Sequence, residues 1–132
     1  MKLTNKEIKA VVAQASDVRY DYSLKRIADN DSLWCLSSGE DGYMFIQDKG
    51  VILFPIWPFK EYANKYLLTL GFVKDYRCVE IGIEKFSNEF VDYLCYNAIH
   101  VCLFPISHID YGKIVSVNTF AEDLSVELEN YQ

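Results

Sequence analysis

Histidine is scarce in this 132-residue chain, with two residues, and proline, with three, and glycine, with six, are little commoner. With 51% of residues apolar, that composition excludes collagen-like repeats, coiled coil and disorder. Basic charge is in deficit: 13 Lys and Arg face 19 Asp and Glu, a net of -6. Such a charge repels phosphate backbones and argues against direct nucleic-acid binding. Long hydrophobic runs are missing too. The longest, residues 51–59 with its two prolines, falls far short of the ~20 residues that span a bilayer. The N-terminal Met1-Lys2-Leu3-Thr4-Asn5-Lys6-Glu7 has no apolar signal core behind it. A cytoplasmic protein without a membrane partner is expected.

Four cysteines are present, Cys35, Cys78, Cys95 and Cys102, none at the Cys-x2-4-Cys spacing of a structural zinc site. His100-Val101-Cys102 puts two ligand types on one strand, but a packed strand explains them more simply. Each cysteine has apolar neighbours, so the expectation is buried, reduced thiols, no metal and no cofactor. A nucleophilic pairing of Cys102 or Cys95 with His100 or His108 lacks any elbow or flanking signature. No glycine-rich loop opens onto a helix as a phosphate cradle would require. Carboxylates such as Asp29, Asp31, Glu40 and Asp41 fall in turns, where acidic residues belong anyway.

What the chain does have is pattern. Its length fits one domain over residues 1–132. Thr4-x-x-Glu7 reads as a capping box, with Leu3 and Ile8 as its hydrophobic staple. Ile8, Val11, Val12 and Ala15 share one helical face. Ser16 is placed to cap a second helix with Tyr20, Leu24, Ile27 and Ala28 inward, ended by Asp29-Asn30-Asp31. Strands are expected at Leu33–Leu36, Tyr43–Gln47 and Val51–Phe54, the last fully buried and closed by Pro55 and Pro58. Pro58 suits the first position of a helix carrying Tyr62, Ala63, Tyr66, Leu67 and Leu70, with Gly71 as its left-handed cap.

The second half reads strand (Arg77–Ile81), helix, hairpin, helix. A helix beginning near Ile83 should turn Phe86, Phe90, Tyr93, Leu94 and Asn97 to one side. Ile99–Phe104 and Lys113–Val117 read as strands joined by the turn His108–Gly112. Asn118 should cap a last helix with Ala121, Leu124, Leu128 and Tyr131 inward. The order ααβββαβαββα predicts an α+β domain, a mixed or mostly antiparallel sheet of about five to six strands with about five helices. Residues 51–56 echo residues 101–106; two central strands explain this as well as a duplication would.

Taken in order, Arg19-Tyr20 with Asp29, Trp34-x-Leu36, Gly42-Tyr43, Pro55-Ile56-Trp57-Pro58 with Tyr62-Ala63, Phe86, Phe104-Pro105 and Leu124 resemble the bacterial domain of unknown function 2750 family. The Pro-aliphatic-Trp-Pro step followed by Tyr-Ala is the most specific part. Phe59 and Tyr43 stand where the family often has His and Trp. The resemblance implies one compact cytoplasmic domain and transfers no catalytic residue.

Charge is the feature with functional content. Residues 1–30 carry six basic and four acidic residues, +2; residues 31–132 carry seven and fifteen, -8. Glu122, Asp123, Glu127 and Glu129 crowd the last helix without a compensating base nearby in sequence, as a solvated face or as a patch complementary to a basic partner. The leading expectation is a non-enzymatic, immunity-type protein that neutralises a cognate toxin, using these carboxylates with Tyr43 and Trp57 at the interface. This rests on analogy of size and charge. The alternative is a housekeeping or regulatory binding module whose pocket is lined by Trp57, Tyr43 and the proline-bracketed loop. A third is an enzyme using His100, His108 or Cys102.

Overall fold

A computed structural model describes residues 3–39, 42–71 and 75–130. Two helices, α1 (Asn5–Val12) and α2 (Ser16–Asn30), precede β1 (Ser32–Ser37), β2 (Ile46–Asp48) and β3 (Val51–Ile56). Then come α3 (Lys60–Thr69), β4 (Arg77–Gly82), α4 (Ile83–Lys85), a π-helical turn (Phe86–Phe90) and α5 (Val91–Tyr96). β5 (His100–Leu103), β6 (Lys113–Val115) and α6 (Val117–Glu129) finish the chain. The architecture is α+β. A four-stranded sheet runs β2-β3-β5-β6 with its central pair parallel and both outer pairs antiparallel. A second, antiparallel pair, β1-β4, meets it where Trp34 and Trp57 exchange backbone hydrogen bonds of 2.8 and 2.9 Å.

Side chains alternate across a strand, and this divides the interior into two layers. Phe54 and Ile56 of β3, Val101 and Leu103 of β5, and Leu33 and Cys35 of β1 face a layer closed by Tyr20, Leu24 and Ile27 of α2, Phe86 and Leu94, and Phe120 and Leu124 of α6. Leu53, Trp57, Cys102, Phe104 and Leu36 point the other way, under Tyr62, Ala63, Tyr66 and Leu67 of α3 and the stripe Ile8, Val11 and Val12 of α1. The echoing segments are thus the parallel central pair, in a register that sets Phe54 beside Val101 and Pro55 beside Cys102.

Several boundaries differ from the sequence expectation, each for a local reason. Pro55 lies inside β3 rather than ending it. Ile56 turns its carbonyl to Phe104 N–H of the β5 side, so Pro55 faces the opposite edge, beyond the start of β2, where no donor is needed. Pro58 precedes α3, which starts at Lys60 after Phe59. Gly71 does take the left-handed conformation after that helix. Of the expected 43–47 strand Ile46 and Gln47 form a ladder, which runs on to Asp48; Tyr43 makes a single bridge to Ser37. The turn joining β2 to β3 puts Lys49 and Gly50 at φ +51 and +85, which matches the twist of a two-residue hairpin.

Helix starts shift as well. Ala15, not Ser16, occupies the cap of α2 and makes no side-chain bond; it is exposed and leaves the face of α1 to Ile8, Val11 and Val12. Ser116 Oγ accepts from Thr119 N–H and caps α6 in place of Asn118, which shortens β6. Ala121 faces solvent while Val117 and Phe120 are buried. Thr4 caps α1, but Glu7 turns away from a reciprocal bond; its Oε2 accepts from Tyr22 Oη at 2.5 Å and from Arg26 at 3.2 Å. Glu40, Asp41 and Tyr131 lie outside the described residues.

The chain leaving β5 is strapped down firmly. Phe104 sits at φ +67, a conformation that costs a bulky residue about 1–3 kcal/mol and persists only where its surroundings impose it. Here they do. Phe104 N–H donates to Ile56 at 2.8 Å, and Trp57 Nε1 donates to the Pro105 carbonyl at 2.9 Å. Buried Arg19 donates to the Phe104 carbonyl at 3.4 Å, to Gln14 at 2.7 Å and to Asp110 at 2.8 Å. Gly112 closes the strap at φ +78, where a Cβ would lie 2.1 Å from the Leu103 oxygen.

Candidate functional site

The helical segment after β4 decides what the surface offers. Phe86, Phe90 and Leu94 recur every fourth residue, slower than the 3.6 of an α-helix, and the wide turn at Phe86–Phe90 absorbs the difference. One extra residue in a turn rotates everything after it by about 100°. Leu94 therefore takes the inward position, while Tyr93 and Asn97, both expected inside, turn out. Glu89, Asp92, Tyr93 and Tyr96 form the exposed side of the segment. Tyr93 is 55% exposed and Tyr96 90%.

Against this segment the chain before β2 lays Tyr43 and Phe45. Tyr43 meets Phe90 edge-to-face at 5.1 Å between ring centres, and Phe45 lies 5.6 Å from Phe54. Together they wall a recess of about 280 Å³ lined by Tyr43, Phe45, Lys85, Glu89, Phe90, Tyr93 and Leu94. Among the described residues Glu89 has no ion-pair or hydrogen-bond partner. Phe45, Val51 and Ile52 of the β2–β3 hairpin add exposed apolar surface. Sequence reasoning missed Phe45, Glu89, Asp92, Tyr93 and Tyr96 as surface groups. The four-residue spacing of Phe86, Phe90 and Leu94 was the available signal.

The structure separates the residues expected at an interface. Trp57 is 0% exposed and hydrogen-bonded to Pro105, so it is a core anchor and lines no pocket with Tyr43. On α6, Asp123 accepts from Tyr20 Oη at 2.6 Å, and Glu127, its side chain 15% exposed, accepts from Lys25 Nζ at 3.2 Å. Lys25 of α2 is thus the compensating base that sequence proximity did not reveal. Half of the acidic cluster fastens α6 to α2; Glu122 and Glu129 remain exposed, without a partner among the described residues.

Cys35 and Cys102 are buried as expected, but Cys78 is half-buried and Cys95 exposed. Burial pushes the Cys35 thiol up to about 12, with Cys78 adding to the rise, and lifts Cys102 further; neither is a ready nucleophile. Cys95 and His100 share a recess of about 170 Å³ with Ser116 and Asn118, where Cys95 Sγ approaches Asn118 Oδ1 at 3.8 Å. Among the described residues, His100 Nδ1 is buried without a hydrogen-bond partner. His108 is exposed in its loop, where the neighbouring Asp110 carboxylate is taken by Arg19 and Gly112 N–H. No group of three His, Cys, Asp or Glu among the described residues is placed to hold a metal, and no helix of the described residues is long and apolar enough to cross a membrane.

Most residues that carry the family resemblance are interior. Arg19, Tyr20, Leu36, Trp57, Tyr62, Ala63, Phe86, Phe104, Pro105 and Leu124 are all buried, so the motif describes a core and its strap. No curated protein matches the chain. The model of a family described as a protein of unknown function matches residues 20–124, well over half of the length, and the chain accordingly belongs to the domain of unknown function 2750 family.

Proposed function

We propose that this protein acts by binding another protein, as an immunity-type partner that neutralises a basic toxin domain in the bacterial cytoplasm. The observation that carries the reading is that exposed aromatic surface and acidic charge coincide on one side of the molecule. The segments Ile83–Tyr96 and Val117–Glu129 hold Glu84, Glu89, Asp92, Glu122, Asp123, Glu127 and Glu129 against one base of their own, Lys85, and Lys25 of α2, which pairs with Glu127. α1 and α3, on the other layer, carry Lys6, Lys9, Lys60 and Lys65 against Glu7 and Glu61. Tyr93 and Tyr96 stand on the acidic side. Tyrosine supplies contact area at low entropic cost, and opposite charge speeds encounter and rejects wrong partners.

The test is co-expression with the protein encoded immediately upstream. Rescue of growth from a lethal neighbour, with recovery of a stable complex, is the expected result. A neighbour that is harmless, or that kills equally in the presence of this chain, defeats the proposal.

A further inference from the structure

We propose that the recess walled by Tyr43, Phe45, Phe90 and Tyr93 is the anchor point of that interface and seats an arginine side chain of the basic partner, with its guanidinium paired to Glu89. The inference rests on the protein-binding reading above and names its site and chemistry. Three observations converge on it. The walls are aromatic, and at about 280 Å³ the recess has room for a long side chain. A planar guanidinium stacks on aromatic faces better than an ammonium and is more readily stripped of water. Glu89 stands at the recess without a partner among the described residues, so a cation arriving there replaces no existing bond.

Charge selects the occupant. Glu84, Glu89 and Asp92 outweigh Lys85 along this segment, so a second copy docking through this same face would bring like charges together. Lys85 lines the same recess and opposes an incoming cation, but among the described residues it makes no salt bridge to Glu89, whose carboxylate is left for the arriving guanidinium. The wide turn is part of the device, because it turns Tyr93 outward and leaves Phe90 as the floor.

Calorimetric titration of the full chain with octa-arginine, and with octa-lysine beside it, tests the inference. Octa-arginine should bind more tightly, and Glu89→Gln and Tyr93→Ala should each weaken it about five- to tenfold. The double variant Glu122→Gln/Glu129→Gln removes more charge from the same side and should change binding less than about twofold. Equal weakening by the α6 pair, which does not line the recess, or equal affinity for the two peptides, means diffuse attraction and overturns the site. Glu89 and Tyr93 are exposed, so both variants should melt with the parent. If a toxin domain is neutralised equally well by Glu89→Gln and Tyr93→Ala, the protein-binding reading stands and the recess falls. If the peptide responds as expected but no neighbour is neutralised, the recess stands and the immunity reading falls.

Discussion

Arg19 keeps its guanidinium out of water, 1% exposed, with three acceptors to replace the solvent it lost. Removing the one acceptor that carries charge strands a buried cation. Asp110→Ala should therefore cost about 2–3 kcal/mol, read from urea unfolding midpoints at an unchanged slope. Trp57→Phe keeps most of the ring but leaves the Pro105 carbonyl without its donor, and should cost about 1–3 kcal/mol by the same measurement. The tyrosines report at high pH. Burial, helped by hydrogen bonds to Asp123 and Glu7, raises Tyr20 and Tyr22 far above the ordinary phenol value of 10.0. Unfolded phenols then ionise first, so the stability they contribute is intact below about pH 10 and declines as pH climbs past it. Melting temperature should fall steeply there, and Tyr22→Phe should flatten that fall; an unchanged slope would acquit the phenols.

At the scale of elements, the wide turn at Phe86–Phe90 behaves as a one-residue insertion in a helix. Deleting exposed Asn88 should convert it to regular α-helix with Phe86 and Leu94 still facing inward. Melting within about 3–6 °C of the parent, roughly a 1 kcal/mol change, is expected, because Phe90 keeps its four-residue spacing from Leu94 and both stay inward. A much larger fall contradicts the reading of the turn as one inserted residue. This is also where legibility in the sequence ends. The runs at 51–54 and 101–104 announced strands, the second buried as expected but the first exposed at Val51 and Ile52, and helix existence followed from spacing at Tyr62, Tyr66 and Leu70. The facing of Tyr93 did not, because one extra residue in a turn is chosen by packing on Phe54 and Phe120, not by local preference. Likewise Trp57 beside prolines reads as a surface loop until Trp34 and Pro105 are seen to enclose it.

For the whole molecule, sidedness of charge matters more than its sum. A net of -6 spread evenly would orient nothing; carboxylates gathered over α4, α5 and α6 give the molecule a field that turns one side toward a cationic body. The association rate with a basic partner should drop about tenfold between roughly 0.05 and 0.5 M salt, measurable by stopped flow, whereas a rate indifferent to salt would mean the encounter is unsteered. The parallel pairing at the centre has its own consequence. β3 aligns Leu53 with His100, and Tyr20 reaches Asp123, so both ties wait on distant stretches of polypeptide. A chain emerging from the ribosome can form α1 to β3 early, yet cannot seal its middle until β5 arrives nor roof it until α6 does. Maturation should accordingly be a late, all-at-once event in the millisecond-to-second range.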